Sequence, residues 1–447
     1  MIDTDNLIAD LLNIGGEDGL STQPEALAGV AVDGLAPKAI LRPANPEQAS
    51  AFLKYASQRK LKVAIRGGGT RTNLGNPING LDLVLSTERM NAIFEYSPAD
   101  LMIGTQAGAK LADIMAELEK NDQFLPIEAA GLENGATIGG AIAANTSGPL
   151  RLMYGPARDW LIGVKFILAD GTIAKGGGRV VKNVAGFDMM KLFTGSLGTL
   201  GLIYEMNFKL MPIPTTISTI IISFGNYQKA CEVALKIIDA GLFPAALTVL
   251  DRAAAKALGL HEQEATLLVE VRNTARAVER QIRDITVLSK AQGSSEIETV
   301  EDRTEQKKLW RAVTDFGYRE LPEQSFTLKV SSLADSSAAL LDKAHRLGAE
   351  HNLEIAAISH AGHGLSWVTG GYDNEAAAQA FIKELTAWSQ DNGGATVAER
   401  VNLSLKRALG DVWGSALSEG ELKLMRALKE KLDPEKTLNP GRFVAGI

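Results

Sequence analysis

Glycine clusters in the first half of the chain constrain this sequence more than any other feature. Of its 44 glycines, many fall in four short groups, at 66–75, 131–148, 176–178 and 195–201. Because glycine has no Cβ and tolerates positive φ, consecutive backbone N–H groups in such loops can converge on one anion. The first loop, taken alone, fits a tight turn between strands equally well. Three such loops in one region, at 66–70, 135–148 and 195–201, favour an extended cofactor over a lone phosphate.

Composition argues against several other classes of protein. The net charge of −7 argues against binding to nucleic acid through phosphate contacts. The single cysteine, Cys231, excludes an internal disulfide framework and an iron–sulfur cluster held by this chain alone, and we expect it to be a small buried residue. The acidic N-terminus does not resemble a signal peptide, and the apolar run 217–224 is far short of the roughly 20 residues that span a bilayer. A cytoplasmic protein is therefore expected.

Length and a shift in composition predict two domains with an α+β fold. The chain has 447 residues, which is too long for one ordinary core. Beyond about Thr216 the glycine-rich sequence changes to Ala/Leu/Glu/Lys stretches with helical spacing. Before that point, strand-like runs at 61–65 and 82–85 and a helical pattern at 110–120 occur without regular βαβ alternation, which predicts mixed sheets. The fingerprints of Rossmann and P-loop nucleotide sites are both missing from the sequence.

Five segments, in the same order along the chain, resemble one protein family. They are RGGGT (66–70), ATIGGAIAANTSG (136–148), YGPARDWLIGVKFILADG (154–171), KNVAGFDMMKLFTGSLGTLG (182–201) and LDPEKTLNPGRF (432–443). Together they resemble the FAD-linked oxidases of the vanillyl-alcohol oxidase/PCMH superfamily over nearly the whole chain. Within that superfamily, KNVAGFD and the later segment DVWG (411–414) are most similar to the FAD-binding subunit of bacterial glycolate oxidase (glycolate dehydrogenase).

The resemblance implies a bound FAD whose pyrophosphate lies in the first two glycine loops, with the third loop near the flavin and the adenine. Relatives that attach flavin through histidine carry that residue after the glycines of the first loop. Here the position is Thr70, so the resemblance implies a non-covalent FAD. The residues that it assigns to FAD are Arg66, Gly67, Gly68, Gly69, Thr70, Thr72, Asn73, Leu74, Gly131, Thr137, Gly139, Gly140, Ala143, Asn145, Ser147, Gly148, Gly198, Gly201, Ile203 and Asn439.

The second domain departs from the family's catalytic pattern. Metal-dependent 2-hydroxyacid dehydrogenases of this superfamily carry H-A-G-D-G-N-L-H and, later, E-H-G, whose side chains hold a divalent metal and take the hydroxyl proton. This sequence reads HAGHGLSW from His360 to Trp367, so that His363 replaces the aspartate, and the later acid, Glu399, is followed by Arg400. A guanidinium cannot accept a proton at neutral pH and would repel a divalent ion.

Three interpretations of these catalytic candidates, His360, His363, Glu399 and Arg400, stay open. One is an altered metal site formed by His360, His363 and Glu399, although we predict no metal. A second is a metal-free site in which Arg400, with Lys329, binds a substrate carboxylate. The third, which we favour, is that the remnants are structural and that the chain performs no hydroxyacid chemistry alone.

The resemblance, together with the shift in composition, implies the following architecture and function. Residues 1–215 form a PCMH-type FAD-binding domain of two subdomains, 216–425 an α+β cap domain of the FAD-linked oxidase C-terminal type, and 426–447 a segment that returns to the FAD domain. We expect an FAD-dependent oxidoreductase acting on CH–OH donors, as the flavoprotein subunit of a glycolate-oxidase-type 2-hydroxyacid dehydrogenase complex. A self-sufficient glycolate or D-lactate dehydrogenase and a non-catalytic scaffold subunit are the alternatives.

The expected partners follow from the same resemblance. They are a small 2-hydroxy acid, a second flavoprotein subunit and an iron–sulfur subunit, since one cysteine cannot hold a cluster. We expect neither nucleic acid binding nor membrane insertion. The expected location is the cytoplasm, with attachment to the periphery of the inner membrane through partners as the alternative.

Overall fold

The computed structural model describes residues 4–178, 186–318 and 321–447, so that 182–185 of the KNVAGFD motif lie outside the described residues. The chain divides into two compact units. The first contains Met1–Thr146, Pro156–Pro212 and Leu417–Ile447, and the second contains Ser147–Gly155 and Ile213–Ala416. Both units combine helices with β-sheets, which confirms the predicted α+β class. The domain limits at 215 and 425 stay a prediction.

Strands and helices alternate irregularly along the chain. In chain order the strands are β1 (Leu20–Ser21), β2 (Ala39–Leu41), β3 (Val63–Arg66), β4 (Leu83–Ser86), β5 (Ile93–Ser97), β6 (Met102–Gln106), β7 (Gln123–Phe124), β8 (Leu161–Ile167), β9 (Ile173–Gly177), β10 (Leu202–Lys209), β11 (Met211–Pro212), β12 (Thr216–Phe224), β13 (Ala246–Asp251), β14 (Ala265–Asn273), β15 (Glu296–Val300), β16 (Ser325–Ser331), β17 (Ile355–His360), β18 (Leu365–Gly371) and β19 (Ala395–Arg400). The helices are α1 (Thr4–Gly15), α2 (Pro24–Gly29), α3 (Pro46–Gln58), α4 (Leu111–Glu119), α5 (Ile138–Ala143), α6 (Arg151–Tyr154), α7 (Met189–Phe193), α8 (Tyr227–Asp239), α9 (Arg252–Ala257), α10 (Ala275–Ala291), α11 (Arg303–Thr314), α12 (Ser337–Glu350), α13 (Glu375–Asp391), α14 (Leu403–Leu409) and α15 (Glu419–Leu432). No helix in the described residues is long and apolar enough to cross a bilayer.

A small mixed sheet in the first unit has the strand order β1-β2-β4-β3. Strand β4 pairs in parallel with β2 and β3, and both β2 and β4 are fully buried, as expected for parallel strands covered on two faces. Helix α3 begins where Asn45 accepts a hydrogen bond from the Gln48 N–H at 2.9 Å. Its buried residues follow helical spacing: Ala49, Phe52, Leu53 and Ala56. Strand β3 ends at Arg66, so the first glycine loop starts at the edge of this sheet.

A second, antiparallel sheet of the first unit has the order β5-β6-β10-β8-β9. In its central strand β10, buried Met206 and Phe208 alternate with the less buried Glu205, Asn207 and Lys209. This alternation is typical of a strand with one face packed on the core. The glycine loop 195–201 leads directly into β10, so the sheet fixes where this loop ends.

The second unit is built on an eight-stranded antiparallel sheet with the order β15-β12-β14-β13-β17-β18-β16-β19. Helices α8, α10, α12 and α13 contribute to a large apolar core on one face, and α9 and α11 contribute to a smaller core on the other. Cys231 lies in the large core and is buried, as predicted. Burial raises the pKa of its thiol to about 12, so the thiol is protonated at neutral pH.

Candidate functional site

The first two glycine loops contact each other within the first unit. A side chain at Gly68 would overlap the carbonyl oxygen of Gly135, and one at Gly67 would overlap Thr137 Oγ1. Gly69 has a φ of +76°, a conformation that residues with a side chain rarely adopt. The glycines that follow β3 are therefore required by the close approach of a second loop as well as by the turn itself.

The third glycine loop is joined to the second loop by backbone hydrogen bonds. The Gly195 N–H donates to the Ile142 carbonyl at 3.0 Å, and the Leu197 N–H donates to the Ala143 carbonyl at 2.9 Å. The C-terminal segment meets the same loop, because Asn439 Nδ2 donates to the Leu197 carbonyl at 2.7 Å. All three glycine loops thus lie together, and Asn439, which is more than two hundred positions downstream of the third loop, contacts that loop.

Two buried cations hold the C-terminal segment in the first unit. Lys429 Nζ lies 2.6 Å from Asp433 Oδ2 and donates to the Thr199 carbonyl at 2.7 Å. Arg442 donates to the carbonyl oxygens of Thr72 and Leu74, which belong to the first glycine loop and its continuation. Burial lowers the pKa of both side chains, although Asp433 opposes this for Lys429. These bonds are charge-assisted, so they fix the position of the tail strongly.

The loops and the tail line a partly open cleft of about 110 Å³ within the first unit. The predicted residues that line it are Arg66, Gly67, Gly68, Gly69, Thr70, Thr72, Thr137, Gly140, Ala143 and Asn439. The lining residues that the sequence reasoning missed are Val30, Val32, Ala64, Ile65, Arg71, Val84, Ala129, Ala130, Ala136, Ala141, Ala144, Thr146, Leu197 and Arg442. Eight of these residues lie outside the family segments, and all of the eight except Arg71 are apolar. Arg442 directly follows the Asn-Pro-Gly of the tail, a signal that could have identified it.

The polar groups of this lining fit an anionic, extended ligand. Among the described residues, the backbone amides of Gly68, Gly69 and Thr70 donate no hydrogen bond within the chain. The Thr146 hydroxyl is 4% exposed and has no partner in the described part of the chain. Arg66 Nη1 donates to Thr72 Oγ1 at 3.0 Å, and burial lowers the pKa of its guanidinium. The backbone amides of Gly68, Gly69 and Thr70 and the guanidinium of Arg66 can bind a diphosphate. The apolar residues of the lining can pack against the flat rings that such a diphosphate carries in FAD.

Other predicted FAD residues lie outside the lining of this cleft. Gly139 and Gly198 permit close packing, since a Cβ would lie 2.7 Å from the Ala107 carbonyl oxygen and 2.9 Å from Asn439 Nδ2, respectively. The remaining members of this group in the first unit are Asn73, Leu74, Gly131, Asn145, Gly201 and Ile203. Ser147 and Gly148 belong to the second unit. The assignment of each residue to FAD binding stays a prediction.

His360 is buried at the end of β17 in the second unit. Its side chain Nδ1 lies 2.9 Å from Thr248 Oγ1, and the residue is 2% exposed. Its ring centroid lies 5.2 Å from that of His363 and 5.1 Å from that of Trp367. Burial lowers the pKa of His360 well below 6.5, and His363 lowers it further. His360 is therefore neutral at pH 7.

His363 lies next to His360 on the turn between β17 and β18. Both ring nitrogens are buried, and neither has a hydrogen-bond partner within residues 4–178, 186–318 and 321–447. Burial lowers the pKa of His363 to about 4, and the positive charge of Arg151 contributes to this shift. Backbone oxygens of His363 and Gly148 oppose the shift without reaching hydrogen-bond geometry. The imidazole of His363 is therefore neutral at pH 7 and has no hydrogen-bond partner among the described residues.

Glu399 accepts a hydrogen bond from the indole of Trp367. The distance from Trp367 Nε1 to Glu399 Oε2 is 3.2 Å, and Lys329 Nζ lies 4.0 Å from Oε1. Strand pairing places Lys329 directly opposite Trp367. Trp367, which stands at the position of the family's second histidine, thus donates a hydrogen bond to Glu399, which stands at the position of the family's acid. An indole N–H is only a donor, so Trp367 cannot ligate a metal.

Arg400 bonds to groups outside this cluster. Its Nη1 donates to Ser325 Oγ at 3.4 Å and its Nη2 to the Leu321 carbonyl at 3.1 Å. Within the second unit, His363 lies beside His360, and Trp367 connects His360 with Glu399, whereas Arg400 is bonded elsewhere. The described residues contain no group of three or more His, Cys, Asp or Glu side chains that could hold a metal ion. The catalytic roles of all four candidates stay predictions.

Comparison with known proteins identifies two family regions. Residues 37–177 match the model described as FAD binding domain, and residues 213–443 match the C-terminal domain of FAD linked oxidases. Glycolate oxidase subunit GlcD of Bacillus subtilis is 30% identical over 92% of this chain and 89% of its own length. D-lactate dehydrogenase of Archaeoglobus fulgidus is 27% identical over 91% of each chain.

A solved structure shares the fold. The crystal structure of p-cresol methylhydroxylase with substrate bound superposes with a TM-score of 0.77, covering 98% of this chain and 96% of that one at 18% identity. That likeness concerns the fold alone. The family models and the full-length relatives together show that this chain belongs to the FAD-linked oxidases, FAD-binding oxidoreductases whose relatives act on 2-hydroxy acids.

Proposed function

We propose that this chain is the FAD-binding subunit of a glycolate-oxidase-type 2-hydroxyacid dehydrogenase complex, and that it relays electrons from 2-hydroxy acid oxidation to an acceptor. FAD, when bound, supplies the chemistry of accepting and passing on electrons. The chain's own part is to hold the diphosphate with the amides after β3 and with Arg66. The name of the Bacillus subtilis relative, which is itself a subunit, supports the proposal.

We infer that the FAD is bound without a covalent link. Thr70 stands where histidine-linked relatives carry their attachment residue. Within the described residues, the cleft lining contains no histidine, cysteine or tyrosine. These are the nucleophilic side chains best suited to form such a bond, so their absence from the lining supports a cofactor held by backbone amides and apolar contacts.

The main observation that supports a subunit role is that the Glu399 carboxylate already interacts with other side chains of the protein. It is 6% exposed, accepts from Trp367 and lies near Lys329, so its carboxylate is engaged by protein groups. The pKa values of His360 and His363 are both lowered, which makes them weak bases at neutral pH. A general base works best with a pKa near the operating pH. None of these three side chains is therefore well suited to take the hydroxyl proton, which favours work within a complex.

The proposed partners are a second flavoprotein subunit and an iron–sulfur subunit. Cys231 is buried and is the only cysteine of the chain, so any cluster has to be held by another protein. The proposal keeps the expected cytoplasmic location, with attachment to the periphery of the inner membrane through these partners as the alternative.

A self-sufficient 2-hydroxyacid dehydrogenase is the second candidate function. Two observations favour it: the similarity to a D-lactate dehydrogenase along nearly the whole chain, and the unpartnered imidazole of His363. In that case His363 would contact the substrate directly. A scaffold without redox work is the third candidate, and it predicts a chain that binds no flavin.

The two redox candidates can be separated by comparing the isolated chain with its native complex. The tagged chain is purified from its source cells under native conditions and, separately, alone after heterologous expression. Glycolate and D-lactate are added anaerobically, and the flavin absorbance and the iron content are measured. We expect flavin and iron to co-purify from source cells and substrate to bleach the flavin only in that preparation. Bleaching by the isolated chain would support the self-sufficient enzyme, and a colourless chain that refuses added FAD would overturn both.

A further inference from the structure

A second cleft lies on the large sheet of the second unit, apart from every residue considered above. It is partly open and has a volume of about 290 Å³. Its floor is formed by the neighbouring strands β14, β12 and β15, and the loop 259–261 after α9 lines one side. It begins where the cover of this face by α11 ends, since Trp310 of α11 donates to Thr219 of β12 at 2.9 Å and the cleft is lined by later residues of that strand.

Strand pairing places three polar side chains in one row across the floor of this cleft. Ser223 pairs with Thr266 of β14 on one side and with Glu296 of β15 on the other. Directly opposed residues of antiparallel strands lie on the same face, with about 5 Å between their Cβ atoms. The row therefore brings two hydroxyls and one carboxylate together.

The two hydroxyls of this row are buried without a protein partner. Thr266 is 2% exposed and Ser223 is 5% exposed. Among the described residues neither hydroxyl forms a hydrogen bond, although the backbone carbonyl of Ser223 accepts from Ser295. Buried polar groups in folded proteins are almost always satisfied by protein, water or a ligand. Two such hydroxyls at the floor of an open cleft are therefore well placed to bind a ligand.

Two carboxylates stand beside the hydroxyls on β15. Glu296 and Glu298 are exposed, and neither forms an ion pair or a hydrogen bond with a side chain of residues 4–178, 186–318 and 321–447. The two are separated by one residue, so both lie on the same face of β15 with about 7 Å between their Cα atoms. The cations of α9, Arg252 and Lys256, pair with other acids, Glu264 and Glu262. The cleft therefore attracts positive charge.

The hydrogen-bonding capacity of the row narrows the class of ligand. A primary ammonium group has three donors and no acceptor. The row offers three acceptor groups, from Thr266, Ser223 and Glu296. Ile221 pairs with Glu298 and, together with Leu260, provides apolar surface against which a methylene chain can pack. A short alkyl chain with an ammonium group at each end complements all of these features.

We propose that this cleft of the second unit binds a small aliphatic diamine. One ammonium group binds to the Thr266–Ser223–Glu296 row, and the other lies beside Glu298. The lysine side chain of a partner protein shares this chemistry but carries only one ammonium group. The proposal goes beyond the function proposed above and does not depend on it.

The first test compares ligands on the full chain with FAD added, by calorimetry at low ionic strength. The probes are the five-carbon diamine cadaverine, the monoamine pentylamine, acetyl-lysine amide and magnesium chloride. We expect cadaverine to bind about fivefold more tightly than pentylamine, the scale of one exposed ion pair. Magnesium at the same ionic strength should not displace it.

The second test uses variants of the floor and of the second carboxylate. Thr266→Val should weaken cadaverine binding about tenfold, the scale of a hydrogen bond to a charged group, without destabilising the chain, because the hydroxyl that it removes has no protein partner. Thr299→Val is the matched control, since Thr299 pairs with Ile220 on the other face of the sheet. Glu298→Gln should abolish the preference for cadaverine over pentylamine. Glu301→Gln removes the same charge just beyond the end of β15 and should retain that preference.

Four results would overturn the diamine site. They are no binding of cadaverine to the wild type, equal affinity for cadaverine and pentylamine, displacement of cadaverine by magnesium, and a Thr266→Val chain that is folded by circular dichroism and binds cadaverine as tightly as the wild type. Acetyl-lysine amide that binds as tightly as cadaverine would instead assign the cleft to a lysine of a partner protein. Flavin reduction is not read in either test, so failure of the proposed function would leave these measurements intact.

Discussion

Trp367 Nε1 lies 3.2 Å from Glu399 Oε2 and donates a hydrogen bond to it. Glu399 stands at the position of the acid that metal-dependent members of the superfamily use as a metal ligand. His360 packs against Trp367, and the centroids of the two rings lie 5.1 Å apart. Polar groups that satisfy one another inside a core form a rigid network. The altered residues of this motif therefore belong to one packed and hydrogen-bonded cluster in the second unit.

Trp367→Phe is expected to destabilise the protein beyond the loss of packing. The variant keeps an aromatic ring but removes the donor to a carboxylate that is 6% exposed. A buried acceptor left without its donor costs about 1–3 kcal/mol. The free energy of unfolding from denaturant titration measures the effect.

Trp388→Phe is the control for that substitution. Trp388 is partly buried against the large core of the second unit, and no hydrogen bond of its indole is found in the described residues. The Trp388→Phe substitution should lower the free energy of unfolding only by the packing contribution of the part of the indole that is removed. Equal destabilisation of the two variants would mean that the Trp367–Glu399 bond contributes nothing measurable.

Much of the first unit's architecture is predictable from local sequence. The strand-like runs 61–65 and 82–85 correspond to β3 (Val63–Arg66) and β4 (Leu83–Ser86), and the helical pattern 110–120 corresponds to α4 (Leu111–Glu119). Hydrophobic periodicity and glycine are short-range signals, which is why they succeed here. The small apolar residues of the cleft, such as Val30 and Ala130, carry no such signal and were missed.

The contacts of the second unit depend on long-range pairing and could not be read from sequence. Lys329 faces Trp367 only because β16 pairs with β18 in one particular register. One of the three open interpretations pairs Arg400 with Lys329 as carboxylate ligands, and strand pairing was needed to learn that the Arg400 guanidinium bonds to Ser325 Oγ and to the Leu321 carbonyl. The proximity of Arg151 to His363 joins segments more than two hundred residues apart. No motif spacing encodes such a contact.

Gly68→Ala is expected to abolish tight FAD binding. The new Cβ would overlap the Gly135 carbonyl oxygen, which is backbone and cannot rotate away, so the two glycine loops would have to separate. Flavin content per protein and the dissociation constant for added FAD give the readout, and we expect at least a tenfold loss. Gly29→Ala is the control, because a Cβ there meets nothing within 4 Å. Normal flavin content in the Gly68 variant would contradict the diphosphate cradle.

Asn439→Ala is expected to weaken both the tail and the FAD site. Asn439 has a φ of +41° and donates to the Leu197 carbonyl at 2.7 Å, so the substitution adds backbone strain and removes a hydrogen bond. We expect a loss of about 1–3 kcal/mol in stability and a several-fold weaker affinity for FAD. Asn352→Ala, at a φ of +54° in the second unit, should reproduce the strain alone. If both variants bind FAD equally well, Asn439 does not support the cleft.

The buried histidines should make the protein less stable in acid. His363 has a pKa of about 4 in the folded chain against about 6.5 when unfolded, so the unfolded state binds more protons between these values. The free energy of unfolding is therefore expected to fall as the pH drops from 7 to 5, by about 2 kcal/mol from His363. The groups that face His363 are His360, whose lowered pKa acts in the same direction, and the cations Arg151 and Lys329 with Glu399 beyond them. The contribution of His363 to the pH dependence of stability should vanish in His363→Gln and should remain in His351→Asn, since His351 pairs with Glu384 outside this cluster.

Denaturant titrations of the wild type and of these two variants at pH 7 and pH 5 measure the difference. If the free energy of unfolding of His363→Gln falls between pH 7 and pH 5 as much as that of the wild type, His363 is not held neutral by burial.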